Sequence, residues 1–337
     1  MNLIFYLTII ITFSLYIFFY QHLKNKLITQ KSLPHQLFTS QKSPPLLGGF
    51  FLITFFFLFS DLDLNLKLFF FIIFLLGVFS DYKILNSPKI RILLQVLTIL
   101  FFVNFIDLGI SSTRFDILDE IIKIDINNLI FTSFCLLILI NGFNFIDGLN
   151  GLTSGYFLIV FMILTLFHLE TSFIKKDFIY LFIFVLIILF ILNLFNKIYL
   201  GDSGSYFLGF LLGTYSISVF NENNFISPFY IILLLWYPCF ENLFSILRKK
   251  SFNLSPLNPD NSHLHQIIFS YLNKKIRLKS NMVNNLSSIL ILAYNVPIFV
   301  ISTYFNQNTK FQIFMIIFNI TVYVASYYFL RRKILNT

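Results

Sequence analysis

Long apolar runs separated by short polar intervals make up almost the whole chain. An α-helix needs about twenty apolar residues to cross roughly 30 Å of hydrocarbon. A window of about that width marks eleven runs, at residues 3–20, 46–60, 66–79, 90–106, 128–140, 152–167, 178–195, 206–220, 228–246, 287–304 and 311–330. They predict an all-α integral membrane protein of about eleven transmembrane helices, organised as one polytopic domain over residues 1–337. The first run lacks a basic stretch before it and a small-residue cleavage site after it, so it reads as a retained span and not a signal peptide. Pro44, Pro45, Gly48 and Gly49 break the chain as it enters the second run. The longest polar interval, 247–286, reads as a loop.

Composition excludes a soluble globular protein: 57% of the residues are hydrophobic and 12% charged. Cys135 and Cys239 both fall inside apolar runs, which excludes a disulfide framework and a thiolate metal site. The charges set the expected orientation. With the N-terminus outside and the C-terminus in the cytoplasm, 18 of the 24 basic residues lie inside and ten of the fifteen acidic ones outside, a split of +13 against −4. Cytoplasmic loops of membrane proteins carry such a basic excess. No nucleic-acid partner is expected; the basic face suits anionic headgroups and phosphorylated ligands.

Four of the polar intervals on that basic side carry candidate chemistry. The first is NGFNFIDGLNGL, residues 141–152, with Asn141, Asn144, Asp147 and Asn150 at three-residue spacing among Gly142, Gly148 and Gly151. That spacing drifts around an α-helix and lines up along a 3₁₀ turn or a bent segment, so the stretch is expected to be open. An aspartate costs about 2.5–3.5 kcal/mol at the centre of a membrane helix, so Asp147 marks a site. The interval 77–95 places Asp81 where a helix leaves the membrane, followed by Lys83, Lys89 and Arg91. The interval 197–210 sets Asp202 and Ser203 between Gly201 and Gly204 as a turn. The interval 247–286 carries His263 and His265. By contrast the acidic interval 107–127, on the other side, reads as solvated surface. Carboxylates for a hard cation, basic groups for a diphosphate and a membrane-level position suit phosphoryl transfer to a lipid. A transporter would need polar sites near the midplane and a repeat between halves; the motifs lie at one face and no repeat is visible.

Five segments in order, PPLLGG, SDYKILNSPKIRILLQ, NGFNFIDGLNGL, GDSGSYFLG and PDNSHLHQ, resemble those of the polyprenyl-phosphate N-acetylhexosamine-1-phosphate transferases, glycosyltransferase family 4. The resemblance runs from about Pro44 to Ile268. It implies a multi-pass enzyme of the plasma membrane that transfers an N-acetylhexosamine 1-phosphate from a UDP-sugar to undecaprenyl phosphate. UMP is released and a cell-envelope polysaccharide is begun. It implies Mg²⁺, or Mn²⁺ in its place, with Asp202 as its ligand; Asp81, Asp147 and Asp202 form the catalytic set. Asn144, with Asp147, would hold the nucleotide sugar, Lys89 and Arg91 phosphate oxygens, and His263 and His265 the diphosphate or sugar. His-Leu-His-Gln is closer to the branch that starts O-antigen or teichoic chains than to the muramyl-pentapeptide branch, which remains an alternative. Three departures stand out: Ser80 replaces the first of two adjacent aspartates, Asn150 replaces a second aspartate in its motif, and Gln266 ends the histidine motif. They leave open a relative that binds the ligands without turning them over. Against this, a phosphate monoester with a second pKa near 6 is roughly nine-tenths dianionic at pH 7, so a base at position 80 is nearly dispensable.

The charge split makes a topological prediction. In a background without Cys135 and Cys239, single cysteines near Lys250 and Asn273 should be labelled by an impermeant thiol reagent only from the cytoplasmic side, and one near Asp119 only from outside. Labelling of the Lys250 and Asp119 positions from the same side would contradict the span count.

Overall fold

The computed structural model describes residues 44–335 except 168, 170, 254 and 256–261, together with positions 7, 11 and 14. The first predicted span, the basic segment 21–43 and the Pro259-Asp260-Asn261 part of the last motif lie outside the described residues.

Each of the other ten apolar runs is helical, nine of them on one helix and the run 228–246 on two. In chain order the helices are α1 (Gly48–Phe59), α2 (Leu64–Asp81), α3 (Pro88–Phe105), α4 (Asp116–Ile122), α5 (Asp125–Ile146), α6 (Leu152–Leu166), α7 (Lys176–Leu194) and α8 (Gly201–Glu222). They continue with α9 (Pro228–Leu234), α10 (Trp236–Ser251), α11 (Leu264–Lys275), α12 (Ser280–Tyr304) and α13 (Thr309–Leu335). The protein is an all-α integral membrane protein. Among the described residues six helices, α2, α3, α5, α7, α12 and α13, are long and apolar enough to cross a membrane. The count becomes seven if α9 and α10, bent by 74° at Leu235, are one broken span. The shorter α1 and α6 are apolar but have only 12 and 15 residues.

Helix α8 is long, yet it is absent from that set for a physical reason. It is buried from Ser203 to Phe220, so it needs no lipid-facing surface and can carry Gly, Ser, Thr and Tyr. The surrounding helices approach it through small residues, the way membrane helices pack when lipid offers apolar side chains no advantage. A Cβ on Gly77 of α2 would lie 2.3 Å from the Ser203 Cα, and one on Gly209 of α8 would lie 2.9 Å from the Ile140 Cα of α5. Gly49 of α1 meets the Gly204 amide nitrogen equally closely, at 2.6 Å from an ideal Cβ. Rings of Phe56, Phe70, Phe102, Phe207 and Phe210 fill the space beyond these contacts.

The polar intervals sort to two ends of the bundle, as the alternation of spans requires. At one end Arg114 donates to the carbonyls of Ile226 (3.0 Å) and Gln307 (3.0 Å), and Asn221 to that of Gly109 (2.6 Å). The opposite end gathers the segments around Asp81, Asn144, Asp202 and His263.

Two expectations change. Asn141 and Asn144 are α-helical, because α5 continues to Ile146 and the open turn begins only at Asp147. The three-residue spacing sends Asn141 toward α3, where it donates to Gln95 Oε1 (3.1 Å), and Asn144 toward α8. Interval 247–286 is not one loop: α10 extends to Ser251, and α11, with a capping box of His263 and Gln266, packs on α12 and α13. The acidic interval 107–127 is solvated as expected, with Asp107, Arg114, Asp116, Glu120, Lys123 and Asp125 exposed, and it also holds a helix, α4, whose Asp119 accepts from Thr113 and Ser112 and whose Ile122 is buried.

The closeness at Gly77 predicts a stability effect. Gly77→Ala should destabilise the detergent-solubilised protein by about 1–3 kcal/mol, as overpacking does, because the added methyl meets backbone and not a movable side chain. A thermal unfolding scan checks it; an unchanged midpoint would show that α2 and α8 can separate at no cost.

Candidate active site

The site forms where the end of α2 meets the start of α8. Asp81 is the last residue of α2, and its carboxylate accepts from the backbone N–H groups of Asp202 (2.8 Å) and Ser203 (3.1 Å). The first turn of a helix has N–H groups without intrahelical partners, and its dipole favours a negative charge there. Leu200 offers no side-chain cap, so Asp81 supplies the cap from another helix. Gly201 makes room for it: its φ is +73°, and a Cβ there would lie 2.8 Å from Asp81 Oδ2. The glycines of GDSG therefore serve a clasp at the start of a helix, where the sequence suggested a free turn.

Asp202 is presented one residue beyond that clasp. Asn144 donates to its Oδ1 (2.7 Å), Ser80 donates to its Oδ2, and the Arg91 guanidinium lies 3.4 Å from Oδ2. Arg91 also donates to the Ser80 hydroxyl. Asp202 keeps 20% side-chain exposure and Arg91 25%, whereas Asp81 is 5% exposed. Asp202 is thus the accessible member of the pair. Ser80, where the resemblance leads one to expect an aspartate, relays between Arg91 and Asp202.

Asp147 sits in the turn after α5. Burial first, and then the Asp202 carboxylate, hold its acid well above the usual carboxylate range. Beside it a narrow cleft is lined by Asp147, Gly148, Asn150, Asn193, Tyr199 and Leu200. The Asn150 amide N–H donates to Asn284 Oδ1 (2.8 Å), and Asn193 clamps the turn by accepting from Gly151 N–H and donating to the Ile198 carbonyl (2.7 Å).

The histidines also reach this turn, buried and not on the surface. The His263 ring stacks on Phe145 (5.2 Å) and on His265 (5.6 Å), and a Cβ on Gly148 would lie 2.5 Å from His265 Nε2. Lys89 is exposed on the first turn of α3, away from the hydrogen bonds that join Arg91 to Asp202. Thus Asp81, Asn144, Asp202 and Arg91 form one bonded cluster, Asp147 stands in its field, and His263 and His265 flank the turn.

Sequence reasoning missed Asn193, Gln95 and Glu241. Glu241 is a carboxylate 1% exposed within the apolar run WYPCFENLF. The rule that marks Asp147, an ionisable residue inside a membrane segment, marks Glu241 equally.

Residues 64–220, which hold the clasp, Asn144, Asp147 and Asp202, match the glycosyl transferase family 4 model. Over this segment, a little under half of the chain, the protein is similar to glycosyl transferase family 4. Among curated proteins, the chain is 33% identical over 138 residues to an undecaprenyl-phosphate alpha-N-acetylglucosaminyl 1-phosphate transferase of Thermotoga maritima, 40% of this chain and 41% of that one. A decaprenyl-phosphate N-acetylglucosaminephosphotransferase of Mycolicibacterium smegmatis is 30% identical over 149 residues, 38% of this chain and 37% of its own length. A phospho-N-acetylmuramoyl-pentapeptide-transferase of Thermotoga maritima is 31% identical over 174 residues, 47% and 53%. The chain therefore spans about 37% to 53% of the length of these relatives. The family segment ends before Glu241, His263 and His265.

Proposed function

We propose that this protein transfers an N-acetylhexosamine 1-phosphate from a UDP-sugar to undecaprenyl phosphate at the cytoplasmic face of the plasma membrane. The product would begin a cell-envelope polysaccharide. The observation that carries the reading is the accessible Asp202 carboxylate, which accepts from Asn144 while Asp81 holds the Asp202 backbone N–H, at the end of a bundle of membrane helices. The relatives' names supply the polyprenyl-phosphate acceptor.

In the reaction a phosphate oxygen of the lipid attacks the phosphorus joined to the sugar. The bond from that phosphorus to the UMP oxygen breaks, and UMP leaves with the electron pair. Such transfers need positioning and charge stabilisation more than covalent chemistry by the protein. Arg91 is the cation already at the site and would neutralise phosphate oxygens; Asn144 and Asp147 would orient the nucleotide sugar. Asp81 acts through Asp202, since both its oxygens face backbone amides.

Among the described residues no three His, Cys, Asp or Glu side chains are grouped to hold a metal ion. Mg²⁺ nevertheless suits the donors present, because it binds through one or two carboxylates together with substrate phosphates instead of in an all-protein cage. Asp202 would hold it, and when bound it would supply charge neutralisation on the diphosphate. The muramyl-pentapeptide reading stays as a second one, on the 31% identity to that transferase.

Membranes containing the protein should release UMP from radiolabelled UDP-N-acetylglucosamine in the presence of undecaprenyl phosphate and Mg²⁺. Asp202→Asn should lose most of this activity, with only partial rescue by raised Mg²⁺. Release from UDP-N-acetylmuramoyl-pentapeptide alone would select the second reading. No release from any UDP-sugar, or full activity in Asp202→Asn, would overturn the proposal.

A further inference from the structure

Glu241 is a buried carboxylate for which neither the clasp nor the nucleotide-sugar turn provides a use. Its Oε1 accepts from two groups of the segment that follows, His263 Nδ1 (2.9 Å) and the Leu264 N–H (3.2 Å). Its polar neighbours among the described residues include the Tyr237 and Tyr323 hydroxyls, from α10 and α13, and the His265 ring. All three members of the chain Glu241, His263 and His265 are nearly or wholly excluded from solvent, at 1%, 5% and 0% exposure. A carboxylate in this setting is retained only if it is paired and hydrogen-bonded.

The rings then transmit the anchor. His263 lies between Phe145 and His265, near parallel to both, at interplanar angles of 29° and 19°. His265 closes on Gly148, the residue after Asp147, where only hydrogen in place of a side chain leaves room. One carboxylate on α10 therefore fixes an imidazole from the start of α11 against the end of α5. Through the stacked pair it fixes the distance from the histidines to the Asp147 turn.

We propose that Glu241 is a positioning residue for the nucleotide-sugar side of the site. It holds His263 Nδ1–H in one tautomer and orientation, and so keeps His263 and His265 registered on the Asp147–Gly148 turn. A carboxylate that orients a histidine in this manner is a general device for fixing both tautomer and ring plane. The role rests on the transferase reading for its consequence in turnover, but the clamp itself does not.

Two measurements on the full chain in detergent separate these. The first is the rate at which diethyl pyrocarbonate modifies His263, read by mass spectrometry of the peptide that carries it. Glu241→Ala should raise that rate roughly tenfold, and Glu241→Gln, whose Oε1 still accepts from both donors, should leave it near wild type. Glu241→Asp is one methylene shorter and should behave as Glu241→Ala does, which keeps the test available if the alanine variant does not fold. The second is UMP release. Glu241→Ala should raise the KM for the UDP-sugar roughly tenfold with the KM for the lipid unchanged. The double variant Glu241→Ala/His263→Ala should be no worse than His263→Ala, since residues acting as one unit are not additive. Unaltered His263 modification in both Glu241→Ala and Glu241→Asp would overturn the clamp, as would losses that multiply in the double variant. Deprotected His263 in a protein whose wild type releases no UMP would sink the transferase reading and leave the clamp standing.

Discussion

The Asp81 carboxylate lies across the two N–H groups that open α8, and much of the rest of the structure follows from that contact. An unpaired buried amide costs about 1–3 kcal/mol, and without Asp81 two would be left. The clasp therefore ties the end of one membrane helix to the start of another at a fixed distance. Gly77, one turn before Asp81 on α2, lets the helix backbones touch, and Gly201 lets the carboxylate in. With α8 so placed, Asp202 faces Asn144 and Arg91 and no other orientation is needed to make it accessible. The chemistry proposed for Asp202 depends on a helix start that another helix completes.

Burial of α8 on all sides has a second consequence. A helix that meets only protein can be polar, and α8 gives up hydropathy for close contact, with Gly204 and Gly209 against the backbones of α1 and α5 and Gly213 against the Leu136 and Leu139 side chains. Its wall of helices supplies the lipid-facing surface instead. The polar ends then segregate: Arg114, Asn221 and Glu222 tie loops at one end, while the carboxylates, Arg91 and the histidines meet at the other. A site for one charged and one lipidic substrate needs such an end, open to water and level with the headgroups.

Much of this was legible in the sequence. The ten described apolar runs are helical, the run 228–246 as the two helices α9 and α10, and the polar intervals placed on one side do converge. What the sequence could not show was which oxygen each group faces. Asp81 reads as one of three aspartates in a catalytic set, with no sign of its two amide partners, and the spacing of Asn141 to Asn150 reads as an open segment until α5 is seen to continue to Ile146. Ser80 reads as a loss, whereas it carries a hydrogen bond between Arg91 and Asp202. Glu241 was legible and overlooked, because it stands alone in an apolar run and its partner is 22 residues further along the chain.

The clasp separates from direct catalysis by one comparison. Asp81→Ala removes the cap and leaves the Asp202 side chain unaltered, and its thermal midpoint in detergent can be measured beside its UMP release. If Asp81 completes α8, both should fall together, with a destabilisation of about 1–3 kcal/mol for each amide left without an acceptor. If Asp81 instead acts on the substrate, release should be lost while the midpoint stays or rises, since a buried carboxylate beside Asp202 and Asp147 would have been removed at no structural cost. That second result would contradict the role of Asp81 as the cap that places α8.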